Sequence, residues 1–557
     1  MEKIWLKSYP QGIPAEIDPD ANPSIVGMLE ESCQQFHDRP AFYNLGVTIT
    51  YGQLDQYTRA FAAYLQQALQ LQQGDRIAIM LPNVLQYPIA MFGALRAGLI
   101  VVNVNPLYTP DELVFQLQDS GAETILVLEN FAHTVEKVLQ RVTMKNVIVC
   151  RIGDFSLLPK SWLIQFVLKY VQKKIPAWHI PQVISFKKML KQGARAQFQT
   201  VTVALKDIAF LQYTGGTTGL AKGAILTHRN IMANIAQAKA WIGSKMVMGE
   251  EIIITALPLY HIFSLLVDCL LFVKLGGFDV LITNPRDIPG MIKEMAKFKF
   301  TTITGVNTLF WGLLKNSQFS KLDFSALKLA LGGGMAVQEV VAEKWQQVTG
   351  VTLLESYGLT EASPGVAVNP VNLTAYNGSI GLPFPSTDVA ILDEDGHELA
   401  VNQEGELAIK GPQVMQGYWN QPKETQKAFT KEGWLLTGDI ASIDEQGFLR
   451  ILDRKKDMII VSGFNVYPNE VEDVLVKLPG VREAAVTGVA DEHSGEVVKA
   501  YIIRDNPHLT AKEVVRHCRE HLTSYKVPKK VEFCHDLPKS NVGKILRRAL
   551  RDRVVEK

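Results

Sequence analysis

Apolar positions along this chain recur with two periods, and the two alternate. Between Tyr51 and Leu69 they fall at helical spacing and predict an amphipathic helix. Gly74-Asp-Arg-Ile-Ala-Ile-Met-Leu81 then reads as a buried strand, ended by Pro82-Asn83. A second helix is predicted through Met91–Ala97, and Gly98 leads into a strand at Leu99–Asn103. Further strands are predicted at Ile208–Gln212, Ile252–Leu257 and Thr301–Gly305. Such alternation predicts an α/β fold of layered subdomains with largely parallel sheets. From about Thr374 to Leu452 the rhythm changes to short β runs with Gly and Pro turns, which predicts a small β-barrel-like subdomain. Composition shifts again at Asp453-Arg-Lys-Lys-Asp457. Beyond it, Pro468 suits the first position of a helix, Glu470 and Glu472 its first turn, and Val471, Val474, Leu475 and Leu478 its apolar face. The expected organisation is a large N-terminal domain over residues 1–452, a hinge at 453–457 and a small α+β C-terminal domain over 458–557.

Composition narrows the classes of function. At 557 residues the chain can bury two or more substantial cores. Its net charge of +1 supplies no field for nucleic acid. The five cysteines (Cys33, Cys150, Cys269, Cys518, Cys534) show no metal or disulfide spacing, which suits a reducing cytoplasm. The start lacks the apolar core of a signal peptide. Ile262–Val273, the most apolar stretch, contains Asp268 and falls short of the about 20 residues a span requires, so it reads as a buried core helix. One segment stands apart. Arg151–Arg195 carries nine Lys and Arg against the single acid Asp154, around the apolar Trp162–Val171. It reads either as a packed helix with a solvated basic rim or as a helix lying on an anionic membrane surface.

The candidate chemistry begins at Tyr213-Thr-Gly-Gly-Thr-Thr-Gly-Leu-Ala-Lys-Gly-Ala224. Gly215, Gly216 and Gly219 allow close backbone approach, Thr214, Thr217 and Thr218 offer hydroxyls, and Lys222 adds a cation. A loop so composed can wrap a polyphosphate. A Walker A loop is excluded, because Lys222 follows Ala221 and precedes Gly223 rather than Ser or Thr. Downstream stand Leu331-Gly-Gly-Gly-Met-Ala336, Glu355-Ser-Tyr-Gly-Leu-Thr-Glu361, Trp434-Leu-Leu-Thr-Gly-Asp439 with Asp453-Arg454, and Leu537-Pro-Lys-Ser-Asn-Val-Gly-Lys-Ile-Leu-Arg547.

These motifs, in this order, resemble those of the adenylate-forming enzymes, the superfamily of acyl-CoA synthetases, luciferases and peptide-synthetase adenylation domains. Gly433–Lys456 resembles the fatty-acyl-CoA synthetase signature. Asn103-Val-Asn-Pro-Leu-Tyr-Thr109, Asn284-Pro-Arg-Asp-Ile-Pro289 and Asn465-Val-Tyr-Pro-Asn469 are similar to strings of bacterial long-chain-fatty-acid–CoA ligases. The resemblance implies an AMP-binding N-terminal domain and a mobile C-terminal one. ATP would be held by Tyr213, Thr214, Gly215, Gly216, Thr217, Thr218, Gly219 and Lys222, by Gly334, and by Glu355, Ser356, Tyr357, Gly358 and Thr360. Asp439 would take the ribose, with Arg454 beside it. Glu361 and Thr217 would hold Mg²⁺. Lys544, Thr360, Glu361 and His261 would serve catalysis, while His261, Val306 and Gly332 would wall the acyl pocket. Lys456 would be the hinge, and Ser462 and Gly463 would border the CoA channel, where a side chain on Gly463 would obstruct the thiol.

The implied activity is ATP-dependent activation of a long-chain fatty acid as acyl-adenylate, then acyl transfer to CoA. Such an enzyme would feed β-oxidation from the cytoplasmic face of the inner membrane; a homodimer is compatible with it. An aryl or medium-chain acid, or a carrier-protein thiol, would suit the same chemistry. A membrane-bound lipid-binding module with a degenerate nucleotide site is the alternative outside catalysis. Two positions depart from relatives: Ser356 stands where glycine is frequent, and Leu265 where some long-chain members carry a tryptophan gate. Arg547, Arg548, Arg551 and Arg553 read as a basic C-terminal helix, with a share in binding CoA phosphates as the alternative.

Overall fold

The computed structural model describes the chain except for residues 1, 22, 157–165, 172–173, 215–220, 492–493, 541–542 and 556–557. Among the described residues the predicted elements form close to where periodicity put them. Tyr51–Gln67 is a helix opened by a capping box, in which Thr50 accepts from the Gln53 N–H and Gln53 reaches back. Arg76–Met80, Ile100–Asn103, Ile208–Thr214, Ile252–Thr255 and Thr302–Gly305 are strands, and Gln86–Arg96 is a helix with every residue buried.

The strands assemble into two large sheets. One has seven strands, in the order 184–185, 146–150, 124–128, 76–80, 100–103, 208–214, 222–227. Its pairings are parallel except the last, where Lys222–Thr227 folds back antiparallel on Ile208–Thr214 and brings Thr214 opposite Lys222. The other has nine strands, with a parallel centre formed by 329–332, 302–305, 252–255 and 278–281. Leu353–Gly358 extends it in parallel on one side of that centre. Both sheets are strand-to-helix alternations whose loops gather at the carboxyl ends of the strands, the usual ligand edge of open α/β sheets. That edge carries Tyr213 and Thr214 in one sheet and Gly305–Val306, Gly332–Gly334 and Ser356–Gly358 in the other.

The segment expected to be barrel-like contains a four-stranded antiparallel meander, Asp388–Leu392, Gly405–Lys410, Leu435–Ile443 and Leu449–Arg454. The C-terminal region has its own core and a five-stranded sheet that includes the long hairpin Val481–Asp491 and Gly495–Arg504. The helix at Pro468–Val476 starts on its proline and buries Val471 and Leu475.

The apolar stretch at Ile262–Val273 is a core helix as expected, but its middle, Leu265–Leu270, widens to π-helical turns. Its one acid is accommodated within the core. Asp268 accepts from Ser264 Oγ at 2.7 Å and from Thr304 Oγ1 at 2.8 Å, and burial pushes its carboxyl up to about 7. Leu265 is fully buried there.

An N-terminal arm clasps the meander to the large sheets. Trp5 is 2% exposed and packs against Gly447 so closely that any side chain there would overlap its backbone. Ser8 donates to the Gln446 carbonyl at 2.6 Å, Tyr9 to that of Pro383 at 2.5 Å, and Lys3 pairs with Asp388 at 2.7 Å.

Candidate active site

Of the proposed nucleotide residues, Ser356, Tyr357 and Gly358 lie at the carboxyl edge of the nine-stranded sheet, Asp439 and Arg454 on the meander that meets it, and Tyr213, Thr214 and Lys222 on the seven-stranded sheet. Strand register sets the central pair: Asp439 and Arg454 lie opposite each other on the last two strands of the meander. Asp439 is nearly buried, with Arg454 Nε 3.5 Å from Oδ1 and the Tyr357 hydroxyl donating to Oδ2 at 2.5 Å. One hydrogen bond and one ion pair thus orient this carboxylate before a ligand reaches it. Beside it, Lys455 Nζ lies 2.9 Å from Glu406, whose other oxygen accepts from the Gly438 N–H at 3.1 Å.

Lys544 arrives from the C-terminal domain. Its N–H donates to Ser540 Oγ at 3.1 Å, and the Ser540 N–H donates back to its carbonyl at 2.7 Å, closing a tight loop. Burial and then the neighbouring Arg454 push the Lys544 ammonium down to about 7. Gly543 sits in the left-handed region at φ +84°, and a Cβ on it would lie 2.7 Å from Thr308 Oγ1 and 3.4 Å from Val306 Cγ2. The lysine loop therefore rests against the wall proposed for the acyl pocket, and only glycine fits the contact.

His261 caps the short turn that begins at Ile262: its Nδ1 accepts from the Phe263 N–H at 3.4 Å. The capping role places the ring hydrogen on Nε2. Burial, then the charge of Lys544, hold the imidazole down at about 4, so it is neutral at physiological pH. Across the pocket, a side chain on Gly333 would meet Ser356 Oγ at 2.7 Å and the Phe263 ring at 3.0 Å, while one on Gly332 would meet Val337 at 2.5 Å. Gly334 has φ +76°, with Val306 next to it. Ser356 Oγ donates to the Gly332 carbonyl at 3.0 Å, so its hydroxyl ties two neighbouring strands together.

Two residues assigned to ATP direct their side chains elsewhere. Tyr213 donates to Asp119 Oδ2 at 2.5 Å, and Glu355 accepts from the Val337 N–H at 3.0 Å inside the core, where burial lifts its carboxyl to about 8. Gly358 packs against the Pro364 carbonyl, and Thr360 opens a single 3₁₀ turn ahead of Ser363. Gly215, Gly216, Thr217, Thr218 and Gly219 lie outside the described residues.

Sequence reading passed over Tyr418 and Glu424, and took Arg547 as one cation of a basic C-terminal helix. Backbone bonds Ile225 N–H to Gly417 O (2.9 Å) and Trp419 N–H to Gly223 O (2.8 Å) lay residues 417–419 along the strand that starts at Lys222. Tyr418 thereby comes under the Lys222 ammonium, 5.1 Å from its ring centroid, and donates to Glu361 Oε1 at 2.7 Å. Lys222 pairs with Glu424, whose other oxygen holds Lys427 at 2.8 Å. Arg547 is 14% exposed and pairs with Asp453 (3.0 Å) and Glu472 (2.8 Å), a structural knot that commits it away from CoA phosphates in this conformation. Arg551 pairs with Asp457 at 3.1 Å. Lys456 is exposed, its carbonyl accepting from Arg551 Nη1 at 3.5 Å, and desolvation by its neighbours lowers its ammonium. Ser462 (φ +51°) and Gly463 (φ +84°) are the two turn residues of a hairpin, and a Cβ on Gly463 would meet nothing within 4 Å. No obstruction arises from that position in this conformation.

Comparison with known proteins agrees with this geometry. Residues 29–419 match the model of the AMP-binding enzyme family, and residues 470–544 match that of the AMP-binding enzyme C-terminal domain. The chain is 57% identical over 556 residues to a long-chain-fatty-acid–CoA ligase of Yersinia pestis, covering 100% of this chain and 99% of that one. It is 56% identical over 552 residues to the Salmonella typhimurium protein of the same name, covering 99% and 98%. Among solved structures, ATP-bound MatB from Rhodopseudomonas palustris superposes with a TM-score of 0.81 at 27% identity, covering 95% of this chain and 98% of that one.

Proposed function

The chain belongs to the AMP-binding enzyme family, and from that premise we propose that it is a long-chain-fatty-acid–CoA ligase of the AMP-forming type. It joins a fatty acid to CoA in two steps, with ATP and CoA as co-substrates. The observation that carries the reading of the site is the meeting of Lys544, Asp439, Arg454 and His261 across the domain boundary, where burial and neighbouring charge perturb both the lysine and the histidine. The fatty-acid class rests on full-length relatives at 56–57% identity.

In the first step the fatty carboxylate attacks the α-phosphorus and pyrophosphate leaves. Two anions must approach each other, so a cation between them lowers the barrier. Lys544 is positioned for that task, and its partial desolvation strengthens each interaction it makes. Asp439 holds the ribose hydroxyls, with Tyr357 fixing its carboxylate. The neutral ring of His261 adds no charge to the acyl side. Glu361 is a hard oxygen donor whose Oε2 makes no hydrogen bond among the described residues, and it suits Mg²⁺. That ion, when bound, neutralises phosphate charge. In the second step the C-terminal domain turns about Lys456 and withdraws Lys544. The thiol of CoA then attacks the carbonyl past Ser462 and Gly463, and AMP leaves.

No helix among the described residues is long and apolar enough to cross a membrane. We place the enzyme at the cytoplasmic membrane face, supplying β-oxidation. Exposed Phe166, Tyr170 and Val171 beside Lys169 and Lys174 support that placement. Residues 157–165, which include the first four of the apolar Trp162–Val171, lie outside the described ones. The deciding experiment supplies Mg·ATP and palmitate with and without CoA. AMP, pyrophosphate and palmitoyl-CoA are expected. AMP and pyrophosphate without thioester would point to another acceptor, and ADP with phosphate would overturn the reading.

A further inference from the structure

Lys222 is the cation assigned to the nucleotide's phosphates, yet this fold already gives it an anion. Its Nζ pairs with Glu424 Oε2, and both side chains are largely covered, at 18% and 27% exposed. Glu424 lies in the first turn of the helix Pro422–Ala428, where the helix dipole favours negative charge. Hydrogen bonds from Lys222 and then Lys427 hold its carboxyl down at about 2, so it is an anion at every working pH. Below the ammonium lies the Tyr418 ring, whose hydroxyl is tied to Glu361. The cation, the aromatic ring and the proposed magnesium ligand therefore form one connected unit, and Glu424 closes it from outside.

We propose that Glu424 is an internal competitor for the pyrophosphate moiety of ATP, setting how tightly Lys222 holds the triphosphate and how readily it gives up pyrophosphate. The inference rests on the reading of Lys222 as a phosphate ligand. An incoming triphosphate carries more charge than one carboxylate, so it wins Lys222, but its affinity is reduced by the pairing it displaces. Lys427 makes the exchange cheap. It stays on the other oxygen of Glu424, so the carboxylate keeps a cation when Lys222 turns to phosphate. When pyrophosphate departs, Glu424 takes Lys222 back, which disfavours the reverse reaction.

The test uses the full-length enzyme and the variants Glu424→Gln, Lys222→Ala and the double variant. Glu424→Gln keeps shape and hydrogen-bonding capacity but removes the charge. It is expected to lower KM for ATP by about fivefold and to tighten inhibition by added pyrophosphate by the same factor. KM for the fatty acid is expected to stay put, and the melting temperature to fall slightly with the loss of the two ion pairs. Lys222→Ala should weaken both ATP and pyrophosphate binding, and in that background the Gln substitution should do nothing. Weaker ATP binding in Glu424→Gln would make Glu424 a support for Lys222 and overturn the proposal; no change in either constant would do the same. If Lys222→Ala leaves pyrophosphate inhibition intact, the phosphate role of Lys222 fails first.

Discussion

At the scale of single residues, chemistry was largely legible and direction was not. Lys544, Asp439 and Arg454 stand in motifs the sequence offers, His261 is given by the resemblance alone, and the four come close together. Tyr213 and Glu355 stand in the same motifs, yet their side chains turn to Asp119 and to the Val337 N–H. Which face of a strand a side chain takes depends on pairing that no local string encodes. Tyr418 and Glu424 were missed because they reach Lys222 only through a strand-like contact spanning about two hundred residues of chain. Three expectations belong here. Lys544→Ala should abolish acyl-adenylate formation while largely sparing thioester formation from supplied acyl-adenylate; equal loss of both half-reactions would remove the role given to this lysine. The pH dependence has a definite sign. Burial lowers Lys544 to about 7, so the ammonium is lost as pH rises through that value. The adenylation kcat/KM should fall on the alkaline side with an apparent pKa near 7, and Lys544→Arg should remove that limb. In the complex the phosphates stabilise the ammonium, so the kcat profile should fall at higher pH. The third expectation concerns Gly543. Gly543→Ala adds backbone strain at φ +84° and a contact with Thr308, so single-turnover assays should show slowed adenylation with thioester formation kept.

At the scale of elements, periodicity located helices and strands to within a few residues, because buried faces need apolar side chains at fixed spacing. It also anticipated the proline start at Pro468. The π-helical turns at Leu265–Leu270 left no trace, since an apolar run buried on every side looks the same at any helical pitch. Nor did the basic C-terminal helix announce its function. Arg547 reads as one cation in a solvated run, but the fold inserts it between two buried carboxylates. Desolvation lifts both Asp453 and Glu472, and the guanidinium opposes that rise. Arg547→Met leaves them buried without their cation, and is expected to cost about 3–5 kcal/mol, the usual penalty for breaking a buried pair. Thermal denaturation of the full chain should register it as a lowered melting temperature, more severe at pH 8 than at pH 5. At the lower pH the two carboxyls protonate more readily and need the arginine less.

At the scale of the molecule, the change in composition at Asp453–Asp457 falls at the passage from the last strand of the meander, Leu449–Arg454, to the first of the C-terminal sheet, Ile459–Val461. What holds the two regions together was not legible, because the contacts join surfaces far apart in sequence. Lys477 pairs with Glu339 at 2.7 Å and Lys315 with Asp505 at 3.0 Å, each linking the C-terminal region to the helices behind the acyl wall. Tyr467 donates to Glu404 at 2.8 Å on the meander side. Both ion pairs are about half exposed, so each contributes about 0–1 kcal/mol and is screened by salt. That small size suits the separation proposed for each turnover. Raising ionic strength should therefore slow adenylation relative to thioester formation, read as the ratio of the two single-turnover rates. Reversing charge at both Lys315 and Lys477 should lower that ratio at low salt and leave little further salt effect.

The N-terminal arm carries a consequence for how the chain is made. Ser8 and Gln446 are hydrogen-bonded partners separated by 438 positions, and Trp5 is buried against Gly447. At a synthesis rate of about 5–20 residues per second, the arm waits roughly 20–90 s on the ribosome before its docking surface exists. During that interval an indole and its apolar neighbours are exposed to whatever lies nearby. Closure of the clasp thus reports that the first domain has been finished, and it comes late in synthesis although its residues come early.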